Sequence, residues 1–546
     1  MRLFDASGRP LSTSRDAPRA SHDAGAFRGS LSGWRGPRVS GHTGAARERE
    51  VMQRRAADLI ANDFSANAAV DTITSNAVGT GLLPKPAIPA QRLGITPEQA
   101  REVGASMEWA FAAWMREADA TGRCCFFDLQ ALGLRSVLTM GELLHVAVML
   151  PESERRASGR RFSLALQALS PSRLQTPADL TTDPHVRDGI RYTAWGRPEG
   201  YYVACPPAMP GGLGGLTESP LLPSDFRYLP ARGGHRRNVF HLFRMDGDEQ
   251  ERGVSTFARA IGLFRNLSDV LHFELFAQVI AASFPVFIAK EDGGLPGGVQ
   301  EAFSHMGRTE RDAEPQYLQR IEEGQIWYGE PNEKPYVLEN KRPSANFAAF
   351  VEIVQRGMAA AQGIPYESLT KDFSKTNYSS MRAALNEAWK VYGFYRQWLA
   401  REYCQPVYEM ALEEAFLRGY VSLPPGAPDF YDARDLWCNA DWIGPSRGFI
   451  DPVKEVSATV LALENRLMTW GEAWAARGGD FEEGMETLLL ESALLNRVRA
   501  ALPQRPAGSE AAAATPGRAS ETVPEDDQEA APEDGTEENE EERADG

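Results

Sequence analysis

Phosphate loops, clustered cysteines and membrane-length apolar runs are all missing from this 546-residue chain, and each absence removes a class of function. The dipeptide Gly-Lys does not occur, so there is no GxxxxGK loop and no nucleotide-driven motor of that type. HExxH and GxSxG are absent too, which removes the zincin and α/β-hydrolase signatures. Five cysteines, two of them adjacent (Cys124, Cys125), make neither a CxxC pair nor a disulfide framework. The thiols are therefore expected to be free in a reducing cytoplasm. With the histidines scattered, no metal site or cofactor is expected. The longest apolar candidate, Leu275–Ala289, is interrupted by Gln278 and Pro285 and falls short of the roughly 18 residues a span needs, so no membrane partner is expected. Met1–Glu50 contains no apolar signal segment.

What is present is a hydrophobic fraction of 42% and a net charge of −17 that is unevenly placed. Residues 507–546 hold 14 Asp/Glu against 2 Arg, so the rest of the chain carries only about −5. This acidic tail, rich in Ala, Pro, Glu and Gly, cannot bury a core and reads as disordered. Residues 1–45, with seven Arg against three Asp, read as a flexible basic arm.

Between the two ends the pattern is α+β and mainly helical, with one small antiparallel sheet. Apolar steps predict a first helix over Ala46–Ser75, ended by Gly79, Gly81 and Pro84. GTGLLP follows a helix and lacks a third glycine, so it is not a dinucleotide loop. Helices are predicted over Pro97–Ala118 and Asp128–Met140. Strands follow at Glu142–Leu150 and Arg161–Leu169, with a hairpin of Ile190–Ala194 and Tyr201–Ala204 around WGRPEG. Glu142 and His145, three apart in a strand, point to opposite faces and are read as structural. After the strand Asn238–Phe243, Asp246 and Asp248 have the first spacings of a calcium loop without its later ligands. Ser255 is expected to cap a long helix to Ser283. Residues 284–343 form a Gly/Pro/Glu-rich inserted region with short strands, and 451–506 are helical.

The centre of the chain is Ser344–Gly419. Phe347, Phe350, Val351, Val354 and Met358 share one helical face, which Gly363 and Pro365 terminate. A polar loop, Thr370–Ser380, carries Lys371, Asp372, Ser374, Lys375, Thr376 and Asn377. A second helix follows, with Met381, Leu385, Ala388, Tyr392, Tyr395 and Leu399 spaced as a packing seam. Ser368–Lys371 fits SxxK, but the companion SDN and KTG elements are absent.

The actual residues resemble bacteriophage portal proteins of the lambda family. The motifs that carry the resemblance are VGTGL at 78–82, FDLQALGLRSVLTMGE at 127–142, the hairpin with Gly196–Pro198, HLFRMDGDEQERGVS at 241–255 and, most specifically, GIPYESLTKDFSKTNYSSMRAAL at 363–385. They span about residues 50–445. The RMDGDEQERG loop departs from the family, which usually has a proline before the glutamine.

The resemblance implies a portal-type architecture of wing, stem, clip and crown with disordered termini. Residues 46–254 and 381–450 would be wing, the latter containing a long helix over Met381–Arg418 bent near Pro406. Residues 255–283 and 344–363 would be stem, 284–343 clip, 364–380 the tunnel loop and 451–506 crown. The implied function is non-enzymatic. A homo-oligomeric ring, normally of twelve copies, stands at one capsid vertex of the virion after assembly in the bacterial host cytoplasm. Double-stranded DNA passes through it in packaging and ejection, without sequence specificity. The implied partners are the terminase large subunit, the major capsid or scaffold protein and the head–tail connector. Lys371, Asp372, Ser374, Lys375, Thr376 and Asn377 would face the DNA channel; Phe347, Phe350, Val354 and Met358 would form the stem's subunit interface. From the residues alone, a helical scaffold or adaptor and a Ser/Lys-type hydrolase stay open as alternatives.

Overall fold

The computed structural model describes residues 45–205, 222–248, 250–282, 286–288, 326–328, 346–374, 376–448 and 452–501. The basic arm, the acidic tail, most of the inserted region 284–343 and Lys375 lie outside these. The chain divides into two compact units, Met1–Phe481 and Glu482–Gly546.

The single N-terminal helix expected over Ala46–Ser75 is two helices, α1 (Ala45–Asn62) and α2 (Phe64–Ala77). The break is at Asp63, whose extended backbone and carboxylate cap α2 by accepting from the Ala66 N–H at 2.8 Å. The VGTGL turn follows. Gly81 (φ +122°) lies so close to the Phe127 ring that a Cβ there would overlap it, and the Gln130 side chain clasps both the N–H (2.7 Å) and the carbonyl (3.1 Å) of Leu82.

Next come β1 (Leu83–Pro86), α3 (Pro97–Met115) and α4 (Phe126–Met140). The Thr96/Gln99 capping box with Pro97 starts α3. The expected small antiparallel sheet is one of several sheets among the described residues. β2 (Glu142–Met149) is the middle strand of a three-stranded antiparallel sheet with β3 (Leu164–Leu169) and a later strand. β4 (Val186–Arg187), β5 (Ile190–Tyr192), β6 (Pro198–Ala204) and β7 (Phe226–Pro230) form a four-stranded antiparallel sheet. A short hairpin, β8 (Arg232–Gly233) and β9 (Arg236–Arg237), leads into β10 (Val239–Phe243), which pairs with β2.

The helix expected to run unbroken from Ser255 to Ser283 begins instead with a 3-10 turn over Thr256–Arg259, capped by the Ser255 hydroxyl, and continues as α5 (Ile261–Ala282). In the inserted region β11 (Val286–Ile288) and β12 (Ile326–Tyr328) pair in parallel. Then follow α6 (Phe347–Gln362), ended by Gly363 in the left-handed region, the short α7 (Tyr366–Thr370) and α8 (Tyr378–Leu399). A π turn, Ala400–Cys404, joins α8 to α9 (Gln405–Leu417).

Pro406 explains that turn. It has no N–H to give the Glu402 carbonyl four residues back. Arg237 Nη1 donates to that carbonyl at 3.1 Å in its place. β13 (Ala440–Ile443) closes back on β1, and α10 (Pro452–Glu464) and α11 (Trp470–Ala475) complete the first unit. From Glu482 on, α12 (Phe481–Ala501) belongs to the second unit, and its Leu488, Leu489, Leu490, Leu494 and Leu495 are exposed.

The core is aromatic. Phe111 lies 4.9 Å from Tyr408 edge to face, Phe126 lies 5.7 Å from Tyr403, and the Trp114 indole donates to the Leu164 carbonyl at 3.0 Å. The α8 seam Ala388, Tyr392, Tyr395 and Leu399 is buried in this same core, so it packs within the chain and is not left over for a neighbour.

Candidate functional site

Two of the motif segments, 127–142 and 241–255, meet at one buried carboxylate. Glu142 opens β2 directly after Gly141, and it receives Arg252 Nε at 2.8 Å, Arg252 Nη2, His241 Nε2 at 2.8 Å, Gln53 Nε2 at 3.2 Å and the Gly253 N–H at 3.1 Å. Arg252 gives its remaining protons to the carbonyls of Leu174 (3.1 Å), Asp188 (2.7 Å) and Pro171 (3.2 Å), so all its N–H groups are used. Burial alone would raise the Glu142 carboxyl. The adjacent guanidinium outweighs it and holds the group well below the usual carboxylate range.

Asp188 (φ +51°) and Gly189 (φ +80°) make the two-residue turn between β4 and β5, and the Asp188 carboxylate receives Arg49 of α1 at 2.8 Å. The node thus ties α1, both sheets and the root of α5 together. It works by position, because each of these groups has a hydrogen-bond partner; Gln53 also lines a cavity with Met140 and Arg173.

Gly141 shows how tight the junction is. It caps α4 at φ +89°, and a Cβ there would lie 2.5 Å from the Val254 carbonyl carbon. Gly141→Ala should cost on the order of 2 kcal/mol in chemical denaturation, whereas Gly159→Ala, in open space at φ +69°, pays only the left-handed backbone term.

A second buried pair joins His145 Nδ1 to the Tyr403 hydroxyl at 2.7 Å, on the π turn. Burial pushes the His145 imidazole down to about 3, and burial also lowers His241. A histidine depressed in the folded state stabilises fully above its ordinary value of 6.5, and that contribution drains as pH falls toward the folded value. Stability should therefore decline from pH 6.5 downward at up to about 1.4 kcal/mol per pH unit for each of the two. Denaturation midpoints at pH 7 and pH 5 check this, and His145→Gln should remove its share of the slope.

The region singled out in the sequence lies beside this node. At their roots α5 and α6 are locked by a reciprocal pair: Gln362 Nε2 donates to the Thr256 carbonyl at 3.2 Å and Gln362 Oε1 accepts from the Thr256 hydroxyl at 2.9 Å. Met358 is fully buried here, and Val354 packs against the same core. Met358 thus faces inward within the chain, while half-buried Val354 keeps part of its surface open. Phe347 is half-buried, and Phe350 is 52% exposed. Its true companion is Ile353, 69% exposed, which the stripe drawn from the sequence left out. On α5, Phe273, Leu275, Phe276 and Val279 are exposed as well. So the two helices share rigid roots and carry open apolar surface farther along.

The loop between α7 and α8 is organised by its polar residues. Lys371 closes α7 in the left-handed region (φ +60°), and its ammonium donates to the Thr72 hydroxyl of α2, which ties the loop base to the body. Asp372 accepts from the Ser374 N–H at 3.0 Å, the Thr376 hydroxyl donates to the Phe373 carbonyl at 2.9 Å, and Asn377 caps α8 through the Ser380 N–H at 2.8 Å. In the SxxK segment, Ser368 is buried and its hydroxyl meets Tyr392, while Lys371 turns to Thr72; the geometry does not bring them together as nucleophile and base. Among the described residues no group of three His, Cys, Asp or Glu side chains could hold a metal ion, and no helix is long and apolar enough to cross a membrane.

The lambda family of phage portal proteins matches residues 27–396. The chain is 26% identical over 473 residues to portal protein B of Escherichia phage lambda, covering 84% of this chain and 86% of that one. It is also 26% identical over 484 residues to the portal protein of Escherichia phage N15, covering 84% and 87%. A solved structure titled as the neck of an empty GTA particle computed with C6 symmetry aligns at 15% identity with a TM-score of 0.38, over 79% of this chain and 93% of its own.

Proposed function

Since the chain belongs to the lambda family of phage portal proteins, we propose that it works as a closed ring of copies, a dodecamer, at one capsid vertex of the virion, conducting double-stranded DNA in packaging and ejection. The observation that carries the reading is the family match over residues 27–396. The open apolar surface of α5 and α6 supports it from geometry, because heterologous contacts that close a ring need such surface on each copy.

In this reading 255–283 and 344–363 are stem, 284–343 is clip and 364–380 is the tunnel loop. Residues 46–254 and 381–450 are wing, and 451–506 are crown. The clip docks the terminase large subunit and later the head–tail connector, while the capsid or scaffold protein surrounds the ring as it assembles in the host cytoplasm. The work is mechanical, not enzymatic. Each phosphate contact adds affinity, so a near-neutral body lets DNA slide. Mass and shape of the purified particle test the proposal. A ring of about a dozen copies with a central hole is expected for closed symmetry, and a monomer or dimer would overturn it.

The loop lysines sharpen the test. Ring symmetry repeats each cation around the channel. Lys371 is committed to Thr72 at the loop base, which leaves Lys375 as the stronger candidate for passing contacts with phosphate. Lys371→Ala combined with Lys375→Ala should lower the DNA retained per head and flatten its salt dependence. Unchanged retention at every salt concentration would count against it.

A further inference from the structure

The four-stranded sheet carries a knob at one end and a hollow at the other. The knob is the turn between β5 and β6, which Thr193 closes in three ways. Its N–H donates to the Arg197 carbonyl at 2.9 Å, its carbonyl accepts from the Gly196 N–H at 3.0 Å, and its hydroxyl accepts from the Arg197 N–H at 3.2 Å. Gly196 takes the left-handed conformation the turn requires (φ +75°). Trp195 stands at the tip with 96% of its surface exposed. An indole on a turn already fixed has little freedom left to lose on binding, and tryptophan is prominent among the residues that anchor protein interfaces.

The hollow lies at the far end of β6, whose seven residues separate it from the turn by about 20 Å. Its volume is about 580 Å³, within the roughly 300–1,000 Å³ of pockets that hold small ring systems. Ala57, Met140 and Ala204 supply its apolar surface, and its charged groups are Glu50, Arg54 and Arg173. The lining is held in place. Gln53 donates to the Met140 carbonyl at 2.9 Å and to Glu142, Glu50 pairs with Arg54 at 2.8 Å, and Arg173 Nε donates to the Ala204 carbonyl at 2.7 Å.

We propose that Trp195 of one copy seats in this hollow on the next copy, an inference that rests on the ring reading and adds a contact to it. A knob and a hollow at opposite ends of one sheet give the head-to-tail geometry that a heterologous contact needs, and the same contact then repeats around the ring. The charges suit an indole. Guanidinium groups such as those of Arg54 and Arg173 are attracted to its face. The Glu50 carboxylate can accept from the indole N–H and also answers Arg197, the one cation the tip brings with it.

Full-length chain carrying p-benzoylphenylalanine in place of Trp195, mixed with isotope-labelled chain, would be irradiated and the crosslinked peptides mapped by mass spectrometry. The expected product joins two chains, from position 195 to the peptide holding residues 50–57 or 172–175. Trp195→Ala should raise the chain concentration at half-assembly at least about tenfold, because an anchor is lost from every interface. Circular dichroism of the single chain should not change, since the side chain is exposed there. Ala57→Trp, which fills the hollow from an exposed position of α1, should weaken assembly in the same way. If rings form but the crosslink lands elsewhere, falls within one chain or is absent, this contact is wrong and the ring stands. Unchanged assembly of the Trp195→Ala chain has the same meaning. If the unaltered chain forms no ring at all, the contact falls together with the ring reading.

Discussion

Arg252→Ala should lose about 3–5 kcal/mol of folding stability, the cost of leaving a buried charge without its partner. Arg252 and Glu142 are both fully enclosed. Removing the guanidinium strands the carboxylate and also orphans the carbonyls of Pro171, Leu174 and Asp188. For that reason an apolar double replacement, Glu142→Leu with Arg252→Met, should recover only part of the loss, since it restores no donor to those carbonyls. The pH dependence carries a second signature. In the native chain Glu142 is depressed, so its contribution is fully present above the ordinary carboxylate value of 4.5 and is lost as pH falls through the lower folded value. Without Arg252 burial dominates and raises Glu142, so the variant gains relative stability on acidification. The gap between native and variant chains should be widest near neutral pH and narrow toward pH 4. Urea denaturation at both values measures it, and a gap under about 1 kcal/mol at neutral pH would refute the role given to the node.

Local periodicity made much of the fold legible. α3, α4, α6, the pairing of β2 with β3 and the β5–β6 hairpin follow from apolar spacing and turn residues. The breaks were harder. Asp63 interrupts an otherwise continuous helical pattern by capping it, and the π turn depends on Arg237, which lies far away in sequence, to serve the carbonyl that Pro406 leaves open. The Glu142–Arg252 node was visible only as two separated motifs. A strand-start glutamate and a loop arginine reveal nothing of their partnership until β2 and β10 pair. One local signal is readable in the sequence: Asp188-Gly189 is the dipeptide of a two-residue hairpin, and it delivers a carbonyl to the node. In α6, the stripe of Phe347, Phe350, Val351, Val354 and Met358 merges two faces. A helix wedged between its own core and a neighbour has apolar residues on both sides, and periodicity cannot say which side is which.

That division sets up the second large effect. Phe350→Asp combined with Ile353→Asp should abolish the ring while leaving the single chain folded. Both side chains are more than half exposed in the isolated chain, so charge there stays hydrated and the melting of the monomer should hardly move. In a ring the same positions would be covered by the neighbouring copy. Burying an unpaired carboxylate against apolar surface costs roughly 3 kcal/mol or more per contact, and closed symmetry repeats that cost at every interface. The expected record is a single-chain mass with native circular dichroism. Met358→Asp is the contrasting control. It places charge in the core that fixes the roots of α5 and α6, so it should unfold the chain rather than merely disperse the ring. If the double aspartate variant still forms rings of the parent mass, the open faces of α5 and α6 are not what joins one copy to the next, and the contact must be sought elsewhere on the chain.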